Sequence, residues 1–227
     1  MNLILLFDSD FIEPDRVRLT GRRLEHVTSV HRAAVGDALT VGRAGGRIGT
    51  GVVLSLSPLE LRVSFDHEPP PPLPLTLILA IPRPKVLNRV IASATSLGVK
   101  HIHLINSWRV EKSYWKSPRL TSLEEQCILG LEQARDTLLP TITLHRLFRP
   151  FIESFAPSGR ALVAHPLAAL ECPRAVAGEV TLAIGPEGGF IAQEVESFER
   201  AGFTPVSLGP RILRVETAVA ALVTRLF

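Results

Sequence analysis

At 227 residues the chain exceeds the roughly 100–150 residues of an ordinary domain, so two domains with separate cores are expected. Apolar residues make up 46% and charged residues 21%, which excludes a disordered chain, and no window reaches the roughly 18 uninterrupted apolar residues of a membrane span. The net charge of +3 conceals two basic blocks. Residues 16–49 carry seven arginines, among them Arg22, Arg23 and Arg32, against Glu25 and Asp37. Residues 82–119 carry eight basic residues, beginning with Arg83 and Lys85, against Glu111 alone. Such blocks point to a polyanionic partner.

The chain opens on an apolar run at 3–7 that Asp8 and Asp10 break at once. This is shorter than the roughly 7–15-residue apolar region of an export signal, so a soluble cytoplasmic protein is expected. Short β-type runs follow at 2–7, 17–20, 38–43, 49–55 and 59–65, punctuated by Gly42, Gly45, Gly46, Gly49 and Gly51. Leu24, Val27, Val30 and Ala34 recur at near-helical spacing and predict one helix over 21–34. The first part of the chain, 1–67, therefore reads as a small β-barrel with one helix. Residues 67–74, with four consecutive prolines from Pro69 to Pro72, read as an extended linker.

From residue 75 onward the pattern changes to alternating strands and helices. Strands are expected at 76–81, 101–105, 162–164, 180–184 and 205–208. Helices are expected at 85–97, with Gly98 at the C-cap, at 119–137, at 193–201 followed by Gly202, and from 215. Continuous apolar strands alternating with helices predict a parallel α/β sheet covered on both faces. Cys127 and Cys172 stand alone, without CxxC or Cys/His clustering. They form neither a zinc site nor a disulfide framework and read as buried thiols, so no metal is expected.

Two loops at the carboxyl ends of predicted strands carry the chemistry, because open α/β sheets place ligands there. Gly185-Pro186-Glu187-Gly188-Gly189 lets backbone approach a ligand closely and lacks the Gly-Lys-Ser/Thr of a triphosphate loop. Leu208-Gly209-Pro210-Arg211-Ile212-Leu213-Arg214-Val215-Glu216 sets two guanidinium groups and a carboxylate beside a glycine turn.

Taken together, IGPEGGF at 184–190 and LGPRILRVETA at 208–218 resemble the signature of the RsmE family of 16S rRNA uridine N3-methyltransferases. The resemblance implies a PUA-like β-barrel RNA-binding domain followed by an α/β SPOUT methyltransferase domain with a trefoil knot, working as a homodimer on 16S ribosomal RNA or the small ribosomal subunit. It implies S-adenosyl-L-methionine as the methyl donor, held by Gly185, Glu187, Gly188, Gly189, Leu208, Gly209, Ile212 and Leu213. Arg211, Arg214 and Glu216 then lie nearest the chemistry. The chain departs from the family at Ser96, where Glu precedes Leu-Gly-Val, and at Asp136, in the position of an arginine.

Methylation at N3 of uridine requires loss of the N3 proton, and a cation beside the ring carbonyls favours the resulting anion, the role expected of Arg211 or Arg214. Glu216 is expected to orient an arginine rather than to abstract the proton itself. Arg22, Arg23, Arg32, Arg83 and Lys85 are the candidate phosphate contacts. Trp108, Tyr114 and Trp115, inside the second basic block, suit either base stacking or core packing. A SPOUT enzyme acting on another RNA nucleotide and a noncatalytic RNA-binding paralogue remain as alternatives.

Overall fold

The computed structural model describes residues 2–227, which divide into two compact units. The first comprises the described residues up to Pro71 with Ile128–Leu139, and the second Pro72–Cys127 with Pro140–Phe227.

The first unit is built on a six-stranded mixed sheet of β1 (Ile4–Leu6), β2 (Phe11–Glu13), β3 (Arg16–Leu19), β4 (Ala38–Arg43), β5 (Ile48–Leu56) and β6 (Leu59–His67). Their order is β1-β4-β5-β6-β3-β2. β1 and β4 are parallel and the other ladders antiparallel. Alternate residues Val17, Leu19, Val41, Val53, Leu59, Leu61 and Val63 fill one core with Ile4, Leu6 and Val27, as the two-residue period of a strand requires.

β1 is apolar on both faces. Leu3 and Leu5 point away from that core and pack with Leu131 instead, while the N–H groups of Asn2 and Leu3 both donate to the Glu132 carbonyl. This second face is why 128–139, expected within a continuous second domain, belongs to the first unit. The expected helix over 21–34 is also shorter. α1 (Gly21–Glu25) passes into a π-helical turn at His26–Val30, where β-branched Val27, Thr28 and Val30 weaken α-helical packing.

The second unit holds a fully parallel sheet of β7 (Leu75–Ala80), β8 (His101–Ile105), β9 (Thr141–His145), β10 (Arg160–Ala164), β11 (Val180–Ile184) and β12 (Thr204–Val206). Its order is β12-β10-β11-β7-β8-β9. The central strand β11 is buried at every residue, as a parallel strand covered on both faces must be. α2 (Pro84–Ser96) buries Leu87, Val90, Ile91 and Ala94 on one stripe. It packs with α6 (Val215–Leu226), which buries Val215, Val219, Leu222, Val223 and Leu226. The expected helix over 119–137 forms as α3 (Leu123–Ala134), after a 3-10 turn at Pro118–Thr121 that Ser117 caps.

The strand β9 and the short helix α4 (Phe148–Ser154) were absent from the expected elements. α5 (Ala192–Arg200) starts where Glu194, at the third helical position, accepts the Ile191 N–H at 3.0 Å. Phe198 is fully buried among Phe148, Phe190 and Phe203. Cys127 and Cys172 are buried and free. No helix of the described residues is long and apolar enough to cross a membrane.

Candidate active site

Three chain segments leave the parallel sheet side by side at its carboxyl edge. They follow β10, β11 and β12, which are adjacent or separated by one strand. After β11 the chain turns sharply, with the Gly189 N–H donating to the Pro186 carbonyl at 2.8 Å. Two glycines there are dictated by geometry. A Cβ on Gly185 would lie 2.9 Å from the Phe190 nitrogen, and Gly189 has φ +71°, a left-handed conformation that costs other residues roughly 1–2 kcal/mol. Gly188 differs, because a Cβ there meets only the aliphatic stem of Arg109.

These segments enclose a cavity of about 360 Å³, within the roughly 300–1,000 Å³ of small-molecule sites. All eight residues expected to hold the donor line it: Gly185, Glu187, Gly188, Gly189, Leu208, Gly209, Ile212 and Leu213. Glu187 is also tied down, its Oε1 accepting the Arg83 N–H at 2.9 Å at the start of α2.

The three residues expected nearest the chemistry separate. Arg211 lines the cavity and is exposed. Arg214 is exposed at the N-cap of α6 and does not line the cavity. Glu216 lies 3.6 Å from Arg89. As the second residue of α6 its side chain faces α2, and the arginine it pairs with is Arg89.

Sequence reasoning missed Arg109, His165 and Phe190, which also line the cavity. The Arg109 guanidinium donates to the Gly188 carbonyl. Arg109 follows β8 just as the two glycine loops follow β11 and β12, so attention to every strand's carboxyl end would have found it.

The expected phosphate contacts also divide. Arg23 is corrected to a structural residue. Its side chain is only 16% exposed and its two terminal nitrogens grip Asp10 at 2.5 and 2.6 Å, with a third bond to the Leu5 carbonyl. Arg22 pairs with the buried Glu132 at 2.7 Å and keeps about half its surface. Arg32, Arg83 and Lys85 are exposed. Of the aromatic residues, Trp115 is core, with its Nε1–H on Asn106 and the Arg146 guanidinium over its ring. Tyr114 is half-buried with its hydroxyl on Glu111. Trp108 faces solvent. Asp136 is buried and accepts the Leu138 N–H at 2.9 Å, so this departure closes the turn after α3 rather than presenting a carboxylate to solvent.

Residues 69–226 match the family model for an RNA methyltransferase domain. The chain belongs to the RNA methyltransferase domain family. The matched segment contains every residue that lines the cavity. Ribosomal RNA small subunit methyltransferase E of Treponema pallidum is 29% identical over 97% of this chain and 88% of its own length. The protein of the same name from Mycobacterium bovis is 29% identical over 86% and 79%. The crystal structure of ribosomal RNA small subunit methyltransferase E from Neisseria gonorrhoeae, bound to S-adenosyl methionine, superposes with a TM-score of 0.78 at 25% identity, covering 98% of this chain and 95% of that one.

Proposed function

We propose that the chain methylates N3 of a uridine in 16S ribosomal RNA, using S-adenosylmethionine. The observation that carries this reading is the convergence of all eight expected donor residues on one cavity with Arg211 among its walls. The names of the relatives and the ligand of the gonococcal protein support it.

The cavity suits the donor. Glycine backbones at 185, 188, 189 and 209 admit it closely, and Leu208, Ile212 and Leu213 supply apolar contact. When bound, S-adenosylmethionine supplies an electrophilic methyl group on a sulfonium. The protein contributes alignment and charge. Arg211 sits beside the ring carbonyl oxygens and stabilises the negative charge left as the N3 proton departs to solvent. Arg214 starts α6 and Glu216 secures it through Arg89, so neither acts on the base.

The second unit is proposed to be a SPOUT domain with a trefoil knot. The carbonyls of Arg225 and Leu226, in the last turn of α6, accept the N–H groups of Ala175 and Val176, which ties the β10–β11 connection to the chain's end. A homodimer would cover the exposed Leu167 and Ile212 at the cavity rim. The first unit is proposed to be a PUA-like RNA-binding barrel, with Arg32 and Arg22 facing phosphates. A ribosomal RNA substrate supports the expected cytoplasmic location.

Mass spectrometry of nucleosides from 16S rRNA, in strains with and without the gene, tests the reading. Loss of 3-methyluridine on deletion and its return on complementation are expected. Unchanged 3-methyluridine would overturn the assignment, and loss of another methylated nucleoside would move the target.

A further inference from the structure

Trp108 is held unlike the other two aromatic residues of its segment. The residue is 80% exposed, whereas large aromatics ordinarily bury most of their surface. Its backbone is nevertheless fixed. The Trp108 N–H donates to Glu194 Oε1 at 2.8 Å, and the other oxygen of this carboxylate, on a residue only 5% exposed, accepts the Ile191 N–H. The next residue, Arg109, donates to the Gly188 carbonyl on the cavity wall. A solvent-facing indole is thus mounted on the loop that follows β8, against the segment 185–194.

Trp108 also lines a groove of about 1110 Å³ between that loop, α4 and α5. Phe148, Ile152 and Phe155 give it apolar walls, and the exposed Lys112, Arg149 and Arg200 line it alongside Glu153 and Glu196. A flat π-surface next to several cations is the combination that binds single-stranded nucleic acid, where a base stacks on the ring and its phosphate meets a cation.

Building on the methyltransferase reading, we infer that Trp108 and this groove form a subsite for single-stranded RNA. The indole stacks on an unpaired base, and Arg149 or Arg200 takes its phosphate. Because Arg109 joins this loop to Gly188, the stacked base belongs to a nucleotide flanking the one presented to the donor cavity. Such a platform would hold the flanking strand while the target base is unstacked.

The chain has two tryptophans, so Trp115→Phe leaves Trp108 as the sole source of tryptophan emission excited above the tyrosine band. Titration with a uridine-containing single-stranded oligoribonucleotide is expected to quench that emission. By fluorescence anisotropy, Trp108→Ala in the otherwise unaltered chain should lower oligonucleotide affinity about 10-fold and leave calorimetric donor affinity unchanged. Trp108→Phe should retain most of the affinity. Equal affinity for wild type and Trp108→Ala would overturn the subsite, as would a Trp108→Ala protein that loses self-association while each protomer binds RNA normally. Quenching by RNA in a protein that places no methyl group on small-subunit RNA would contradict the enzymatic reading but uphold the subsite. Wild-type methylation kinetics in Trp108→Ala, including an unchanged KM for RNA, would sink the subsite alone.

Discussion

The Glu216 carboxylate lies 3.6 Å from the Arg89 guanidinium, which commits the acid of the second glycine loop to the contact between α6 and α2. Arg89 keeps about two thirds of its surface and Glu216 a quarter, so the pair is screened and worth roughly 0.2–1 kcal/mol. A double-mutant cycle with Arg89→Ala and Glu216→Ala should return a coupling in that range. Glu216→Gln should keep a single-turnover methylation rate within about 3-fold of wild type, well short of the roughly 10²-fold lost with a charge-stabilising group. A 10²-fold loss would return Glu216 to the chemistry.

The donor loop makes a graded prediction. Gly185→Ala drives a Cβ onto the backbone of Phe190 and should abolish donor binding measured by calorimetry. Gly189→Ala forces a left-handed alanine and should cost about 1–2 kcal/mol of stability. Gly188→Ala meets only the stem of Arg109 and should be the mildest of the three. A Gly185→Ala protein that binds the donor normally would contradict this reading of the turn.

Arg23 and Arg32 should behave oppositely. Arg23→Ala leaves Asp10, itself buried, without its bidentate partner and should cost about 3–5 kcal/mol in urea unfolding. Arg32→Ala should change stability by less than about 0.5 kcal/mol and reduce the salt dependence of RNA binding by about one ion. A stable Arg23→Ala protein with weakened RNA binding would restore Arg23 to the phosphate surface.

His103 Nδ1 and His145 Nε2 lie 3.0 Å apart against Phe151. Burial, followed for His103 by the charges of His145 and His101, lowers both imidazoles from the ordinary 6.5. The unfolded chain then takes up protons at a pH where the folded chain stays neutral. Stability contributed by the pair is complete above about pH 6.5 and falls as pH drops toward the lower folded values, by up to about 1.4 kcal/mol per pH unit for each histidine. Urea midpoints measured between pH 7.5 and 5.5 should decline in wild type and flatten in His103→Phe. Equal slopes for the two proteins would rule out this pair as the cause.

The elements most legible in the sequence were those whose pattern has one physical solution. β7, β8 and β11 are continuous apolar runs, and α2 shows an unbroken stripe ending at Gly98. β9 was not legible because Thr141-Ile142-Thr143-Leu144-His145 is mostly exposed, and α4 has Pro150 near its start. The cavity-lining residues at 185–189 and 208–213 were legible because they sit in two short contiguous loops. Arg109 and Arg23 were not, since their partners Gly188 and Asp10 adjoin them only once the chain has folded. Nor does the sequence say which face of α6 meets α2, and that decides the partner of Glu216.

The central claim is that this chain transfers a methyl group to N3 of a uridine, with Arg211 supporting the developing charge. Purified protein should be incubated with isotopically methyl-labelled S-adenosylmethionine and small-subunit RNA under single-turnover conditions, followed by nucleoside mass spectrometry. Wild type should place the label in 3-methyluridine, and Arg211→Ala should do so about 10²–10³ times more slowly at unchanged donor affinity, with Arg214→Ala little affected. Label in any other nucleoside, or an Arg211→Ala rate equal to wild type, would contradict the account.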